Sequence, residues 1–358
     1  MSNVEYIPFH EAFVNVPVGK FKIQENNYLL KGKYKIVDQG KLLVAGYTNE
    51  VDFVKSDTPY ILFGDHTKVI KYIDFPFVAG ADGVRLFKAS EAFDPLFLYY
   101  FLSSLSLPSD GYGRHSKYLD EKLVPKIDFI RQQKIADNIK KQFLEIERAR
   151  KALEVLSSET SNLANSIIYD SLKAGENKNY SLVDVLDEVK DGIGSYWKSY
   201  PVYGATRQGI ALAKEPPGKN PQRYKPVAPG NVFYNPMRIL IGSIAFAEDD
   251  VDDGITSPDY VVLKGKKSLV HSRWFYFWLR SPLGQRCINS LARGAVRERM
   301  LFNRLAEGNI ELPDFSVQER ASEALKNIRH EKANVNKQYS DIMALPNKIL
   351  SNIFQEVN

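Results

Sequence analysis

The sequence predicts an α+β protein with a pseudo-two-fold internal repeat: two β-rich domains separated by two long helices that pair as an antiparallel coiled coil. Three observations lead there. The chain repeats itself with a period near 180 residues, short β-rich runs precede each helical stretch, and both helical stretches carry a seven-residue apolar repeat.

The duplication is read from ordered matches. The string at 99–102 (YYFL) returns at 276–279 (YFWL), and 84–86 (VRL) returns at 261–263 (VVL), both 177 residues on. The string at 129–132 (FIRQ) returns at 315–318 (FSVQ), 186 residues on, and Leu163, Asn165 and Ile167 match Leu345, Asn347 and Ile349 at 182. Preserved order with a drifting offset is what duplication followed by loop insertions leaves behind. A period this long means two domain-sized copies, not a solenoid. The divisions are 1–125 and 173–312 for the β-rich domains and 126–172 and 313–358 for the helices.

Each copy opens on short β-rich runs broken by Gly, Pro and Asp: YKIV, KLLVAGY, YILFG and GVRLF in the first, SYPVYGA, NVFYN, ILIGSIAFA and DYVVL in the second. A short helix closes each, at 96–105 and 272–280. A Pro-containing entry, LVPKIDF or IELPDF, then leads into a long helical run.

In the first run Ile135, Gln142, Ala149, Leu156 and Leu163 step by seven, as do Ile139, Ile146, Leu153, Thr160 and Ile167. In the second, Ala321, Ile328, Val335, Ile342 and Ile349 form one series and Leu325, Lys332, Tyr339, Pro346 and Ile353 the other. The helix-pairing residues expected from these series are Ile135, Ile139, Ile146, Leu153, Leu156, Leu163, Ile167, Leu325, Ile328, Val335, Tyr339, Ile342 and Ile349. Each helix would be ~60 Å long at 1.5 Å per residue. Pro346 is expected to kink or break the second. Two apolar stripes in one chain are most simply buried against each other; the alternative is that each helix packs on its own domain.

Bulk properties narrow the function classes. Of 358 residues 44% are hydrophobic, a globular composition, and no uninterrupted apolar run of 18 residues could span a bilayer. The opening MSNVEYIPFHEAF lacks a basic and then an apolar leader region, and the single cysteine, Cys287, excludes an intramolecular disulfide framework; a cytoplasmic protein is expected. The net charge of +5 is uneven: −1 over 1–125, +1 over 126–172, +5 over 173–312 and zero over 313–358. Charge alone does not establish nucleic-acid binding.

No catalytic constellation emerges. The five histidines, His10, His66, His115, His271 and His330, have no metal-ligand spacing, and there is no CxxC, phosphate loop, dinucleotide fingerprint or GxSxG elbow. The acidic run 248–254 lacks the distal Glu of a calcium loop and reads as a solvated turn. The string at 234–237 (YNPM) lacks the second Pro and the stacking aromatic of an amino-methyltransferase motif and reads as a strand end or turn. No catalytic residue, metal or cofactor is expected.

Several strings resemble the specificity subunit of type I restriction–modification enzymes: PYILFGDHT at 59–67 followed by FPF at 75–77 and GADGV at 80–84, then GRHSKYL at 113–119, VP at 124–125 and QQKIA at 132–136. The second copy keeps LP at 312–313 and QERA at 318–321 but has VRERML at 296–301 in place of RHSKYL. The resemblance covers essentially the whole chain. It implies two target-recognition domains, each binding one half of a split double-stranded DNA site, and helices that fix the spacing and dock methyltransferase (modification) subunits, two per complex. Restriction–translocation subunits join that complex. Unlike domains imply an asymmetric target, and methylation requires an adenine flipped into a partner's pocket. The alternative is a non-catalytic coiled-coil protein-interaction scaffold that does not bind DNA.

Under the DNA reading, loops supply Arg, Lys, Asn, Gln and hydroxyls for base edges and phosphates. The first-domain candidates are Asp65, His66, Thr67 and Lys68, then Tyr112, Arg114, His115 and Lys117. Those of the second are Thr206, Arg207 and Gln208, Lys219 and Asn220, Arg238, and finally Arg293, Arg297 and Arg299. For each the alternative is a solvated surface residue or a domain–helix ion pair.

Overall fold

In the computed structural model the structure describes residues 4–18, 23–52, 54–80, 83–108, 113–292 and 299–357. Two compact units emerge, Met1–Ala152 with Tyr339–Asn358, and Leu153–Gln338, so both long helices are shared between units. The fold is α+β, with a β-rich region in each unit and two long helices.

In the first unit, strand Glu5–Pro8 pairs antiparallel with Leu123–Lys126. The one-turn helix α1 (Phe9–Ala12) leads into an antiparallel sheet ordered Phe13–Val16, Val84–Ala89, Tyr60–Gly64, Ile70–Ile73. A second sheet, ordered Gly46–Thr48, Tyr34–Val37, Phe77–Ala79, Val54–Lys55, contains one parallel pair. Helix α2 (Pro95–Ser104) starts where the Asp94 carboxylate accepts from the Phe97 N–H at 2.8 Å, with Pro95 pre-set for the first turn. Helix α3 (Phe129–Lys173) is capped by Asp128, whose Oδ1 accepts from the N–H groups of Ile130 and Arg131.

The second unit repeats the plan. Strand Lys178–Ser181 pairs with Asn309–Leu312, and helix α4 (Leu182–Val185) leads into a sheet ordered Leu186–Glu188, Val261–Gly265, Val232–Tyr234, Ile244–Phe246. Helix α5 (Ser272–Arg280) stands in the position of α2, and α6 (Pro282–Leu291), α7 (Phe302–Leu305) and the closing helix α8 (Phe315–Val357) follow. The copies differ elsewhere: in place of the second four-stranded sheet lie the hairpin Tyr203–Thr206/Gly209–Leu212 and the pair Lys225–Val227/Gly254–Thr256.

The offsets of 177 and 186 match equivalent elements: α2 with α5, and α3 with α8. The match at 182 is a coincidence of helical periodicity. Both helices run unbroken, so the 186-residue separation set by their first turns holds along them and Leu163 corresponds to Ile349. Pro346 lies inside α8 without ending it; Leu350 and Phe354, both buried beside α2, hold the following turns in place of the lost backbone bond.

The helices pair antiparallel. Ala136 and Ile139 near the start of α3 share a core with Leu350 and Phe354 near the end of α8, and Ala164 and Ile168 late in α3 share one with Ala321 and Leu325 early in α8. Of the residues expected in the α8 stripe, Leu325 and Val335 are buried, and Ile328, Tyr339, Ile342 and Ile349 are half-buried. In α3 half the expectation is corrected. Ile139, Leu153 and Thr160 are buried, Ile146 and Ile167 half-buried, but Leu156 and Leu163 are 42% and 50% exposed. Ile135 packs on its domain's core. The second row of the seam is instead Ala136, Phe143, Arg150, Ser157, Ala164 and Ser171, of which Ala136, Ala164 and Ser171 are buried. Small side chains face inward because large ones from the domains fill that space: the fully buried Trp274 of α5 donates from Nε1 to Ser171 Oγ at 2.9 Å. No helix among the described residues is long and apolar enough to cross a membrane.

Candidate nucleic-acid interface

In the first unit the two loops singled out in the sequence meet. Asp65 directly follows strand Tyr60–Gly64 and is 4% exposed. Its Oδ1 accepts from the Ser116 N–H at 2.8 Å, its backbone carbonyl accepts from the His115 N–H at 2.9 Å, and Arg85 Nε approaches Oδ2 at 3.8 Å. The His115 ring is also buried, with Nδ1 2.9 Å from the Asp65 carbonyl oxygen. Asp65 and His115 therefore hold the two loops together, and both are buried rather than exposed as the contact reading expected.

Around this pin the neighbouring side chains face outward. His66 and Thr67 are exposed, and Gln39 orders both: its Oε1 accepts from the His66 N–H, its carbonyl from Thr67 Oγ1 at 2.7 Å. Lys68 closes the turn in the left-handed region at φ 58°; its ammonium donates to the carbonyls of Leu107 and Pro108, which engages it without neutralising it. Arg114 and Lys117 are exposed, and the Lys117 ammonium lies 4.7 Å from the centre of the Tyr118 ring. Tyr112 lies outside the described residues.

His66 and Arg114 share an open cleft of about 530 Å³ with Asn15, Gly83 and Arg85. Among the described lining residues the only acid is Asp65, which Arg85 offsets, so the described lining is basic although the whole domain is slightly acidic. Gly83 has φ +84°, and a Cβ there would fall 2.7 Å from the Gln39 amide and 2.8 Å from the His66 ring; only glycine lets the cleft floor pass so close. Asn15 and Arg85 escaped sequence reasoning because both sit in strands whose pattern reads as core; only sheet pairing carries them to the cleft.

In the second unit the candidates fall into two groups. Thr206, Arg207 and Gln208 form the tip of the Tyr203–Thr206/Gly209–Leu212 hairpin. Thr206 Oγ1 donates to the Gly209 carbonyl and accepts from the Gln208 N–H, and Arg207 Nε donates to the Ile241 carbonyl at 3.0 Å. That bond ties the tip to the 235–243 turn, where Arg238 is exposed beside exposed Met237, Leu240 and Ile241. Lys219 and Asn220 line a separate open cleft of about 320 Å³ with Arg223 and Asp259; Asp259 lies 3.8 Å from Arg299. Arg293 and Arg297 lie outside the described residues.

Two further strings are structural. Tyr234 is fully buried, and Asn235 Oδ1 accepts from the Met237 N–H at 3.0 Å, so YNPM is a strand end and turn. The acidic run, expected to be a solvated turn, is only partly so: Glu248 is 1% exposed and accepts from Arg273 Nε and Nη2 at 2.9 and 2.7 Å. Arg329 of α8 approaches Glu248 at 3.5 Å and Lys326 approaches Asp249 at 3.9 Å, so the run fastens its domain to a helix. No three His, Cys, Asp or Glu among the described residues could hold a metal ion.

No family model matches the chain. The specificity subunit of the Escherichia coli type I restriction enzymes EcoR124I and EcoR124II is 28% identical over 119 residues, 32% of this chain and 29% of that protein, so the match spans under a third of the relative's length. Two solved structures resemble the fold across nearly the whole chain. The type I restriction–modification S subunit from M. genitalium has a TM-score of 0.56 at 15% identity over 98% of this chain and 96% of its own. A chain from a study of assembly and conformational transition in a type I restriction–modification system has a TM-score of 0.61 at 14% identity over 99% and 98%.

Proposed function

We propose, from a fold shared end to end with type I specificity subunits and a sequence match over a third of the chain, that this protein is the site-reading, non-catalytic subunit of such an enzyme. Each β-rich region reads one half of a bipartite, asymmetric DNA site. The helices set the separation of the half-sites and carry the methyltransferase subunits, two per complex, to which restriction–translocation subunits are added in the cytoplasm. The division of the chain is 1–125 and 173–312 for the readers and 126–172 and 313–358 for the spacers.

The observation that carries this reading is the extent of the fold similarity, 98–99% of the chain, which includes both copies and both helices. The basic cleft of His66, Arg85 and Arg114 supports it locally, since phosphates and base edges are read by such donors. Exposed Val155, Leu156 and Leu163 along α3 offer an apolar strip for a protein partner.

The decisive experiment is methylome sequencing of the native host with and without this gene. One split, asymmetric methylated-adenine motif should disappear on deletion and return on complementation. An unchanged methylome would leave only the scaffold reading.

A further inference from the structure

The second unit contains a half-open cavity of about 410 Å³ behind the 206–209 hairpin, between α5 and the facing stretches of α3 and α8. Arg207, Arg280, Arg329 and Lys332 line it, and no lining residue is acidic. Among the described residues, Arg329 is the one lining cation with acidic partners, Glu248 at 3.5 Å and Asp250 at 4.0 Å. Arg280 donates to the carbonyls of Arg207, Gly242 and Ile244 and lies over the Tyr276 ring; Arg207 donates to the Ile241 carbonyl. Carbonyl oxygens orient a guanidinium without cancelling its charge. Lys332 is half-buried, donates only to the neutral Ser161 hydroxyl among its described contacts, at 2.9 Å, and burial and nearby Arg280 push its ammonium below the ordinary lysine range. The lining also includes the apolar Phe246, Phe277 and Ile328.

The duplication supplies an internal control. At the 186-residue separation of the helices, Arg329 and Lys332 correspond to Phe143 and Ile146, and Ala164 corresponds to Leu350. At the 177-residue separation of the short helices, Arg280 corresponds to Ser103. In the first unit these positions are filled: Phe143 packs edge-on against Tyr100 at 5.5 Å, and Leu350 is buried in the same core. At three of these four positions the second copy has a small or cationic side chain (Ala164, Arg329, Lys332) where the first has a bulky apolar one (Leu350, Phe143, Ile146). Packing alone would not favour that exchange, because it leaves a cavity and desolvates a cation without a counter-charge.

We infer that this cavity is a binding site for a phosphorylated ligand of mononucleotide size, its phosphoryl group held by Lys332 and Arg280 and its apolar part against Phe277 and Ile328. The volume falls in the range of small-molecule sites, and guanidinium and ammonium donors converging on one space are the usual recognition of phosphate. The phosphoryl group is supplied either by a free nucleotide or by DNA. The site does not depend on what the exposed loops read.

Isothermal titration of the full-length chain with adenosine monophosphate, inorganic phosphate and adenosine tests this. Saturable binding of adenosine monophosphate is expected, with adenosine weaker by roughly tenfold or more for loss of the charge-assisted contacts. The double variant Ala164→Leu/Lys332→Ile imports the first copy's filling and should abolish binding at an unchanged or raised melting temperature. Lys332→Gln serves if that variant fails to fold, and Lys332→Arg should retain binding. A DNA duplex that displaces the nucleotide marks the cavity as a DNA-phosphate site, whereas co-binding marks a free-nucleotide site; either supports the assignment. Absence of saturable binding of both phosphorylated probes, adenosine binding as tightly as the monophosphate, or unchanged binding by folded Lys332→Gln would overturn it.

Discussion

Gln132 and Gln318 make the same three hydrogen bonds in the two copies. Each is buried in the first turns of its long helix. Gln132 Oε1 accepts from the Asp94 N–H and its Nε2 donates to the carbonyls of Ala92 and Ile127. Gln318 Oε1 accepts from the His271 N–H and its Nε2 donates to the carbonyls of Leu269 and Pro313. One amide thus joins the start of the short helix to the start of the long one, where the β-rich region meets the long helix. Replacing either glutamine by alanine leaves one backbone donor and two carbonyls short of a partner in a dry site. Chemical denaturation should show a loss of about 2–4 kcal/mol for each variant.

The Arg273–Glu248 pair ties α5 to the acidic run within the second β-rich region, beside Arg329 of α8. Arg273→Met removes the two-nitrogen partner of a carboxylate that stays buried. A destabilisation of roughly 3–5 kcal/mol in urea titrations is expected. Adding Glu248→Gln should recover part of it, since the buried charge left with Arg329 alone at 3.5 Å then disappears.

His271 gives the second unit a pH dependence of known sign. Burial, then the neighbouring Arg273, holds its pKa below the ordinary histidine value, against weaker opposing pulls from Glu319, Asp249 and Glu248. The unfolded chain therefore binds the proton more readily. This contribution is complete above the unfolded value of about 6.5 and is lost as pH falls from there toward the lower folded value. Melting temperatures from pH 7.5 to 5 should fall less steeply for His271→Gln than for the parent chain; equal slopes would refute the assignment.

In the first domain, scaffold and contact roles separate experimentally. Arg114→Ala should leave the melting temperature unchanged and weaken DNA binding by the assembled complex. If Arg114 meets a phosphate, the salt dependence of log K should drop by about one unit. Asp65→Ala should instead lower the melting temperature, because it releases the 114–117 turn. Anisotropy titrations at several salt concentrations, read beside thermal melts, distinguish the two.

The exposed strip of α3 predicts a partner effect without a folding effect. Leu156→Glu and Leu163→Glu place charges on residues 42% and 50% exposed, so stability should change by under about 0.5 kcal/mol. Co-purification with the methyltransferase subunit should nevertheless fall sharply. An intact complex with both substitutions would move the docking surface elsewhere.

The β-rich regions, the short helices, the long helices and the duplication were all legible in the sequence, because each rests on a local period or on ordered strings that survive in one dimension. Even the Gln132/Gln318 match appeared there, in FIRQ and FSVQ. Tertiary structure decided what a period leaves degenerate. Two rows flank the Ile139–Thr160 stripe of α3, and the apolar one holding Leu156 and Leu163 lost to the row of Ala136, Ala164 and Ser171, because Trp274 and its neighbours already occupy that space. It also decided which loop residues are free: Asp65 and His115 read as contacts in the sequence, but a bond between residues 51 positions apart, Asp65 to Ser116, turns them inward and leaves His66 and Arg114 facing out. Local pattern sets which elements form; steric competition between distant side chains sets which face of each element meets the core.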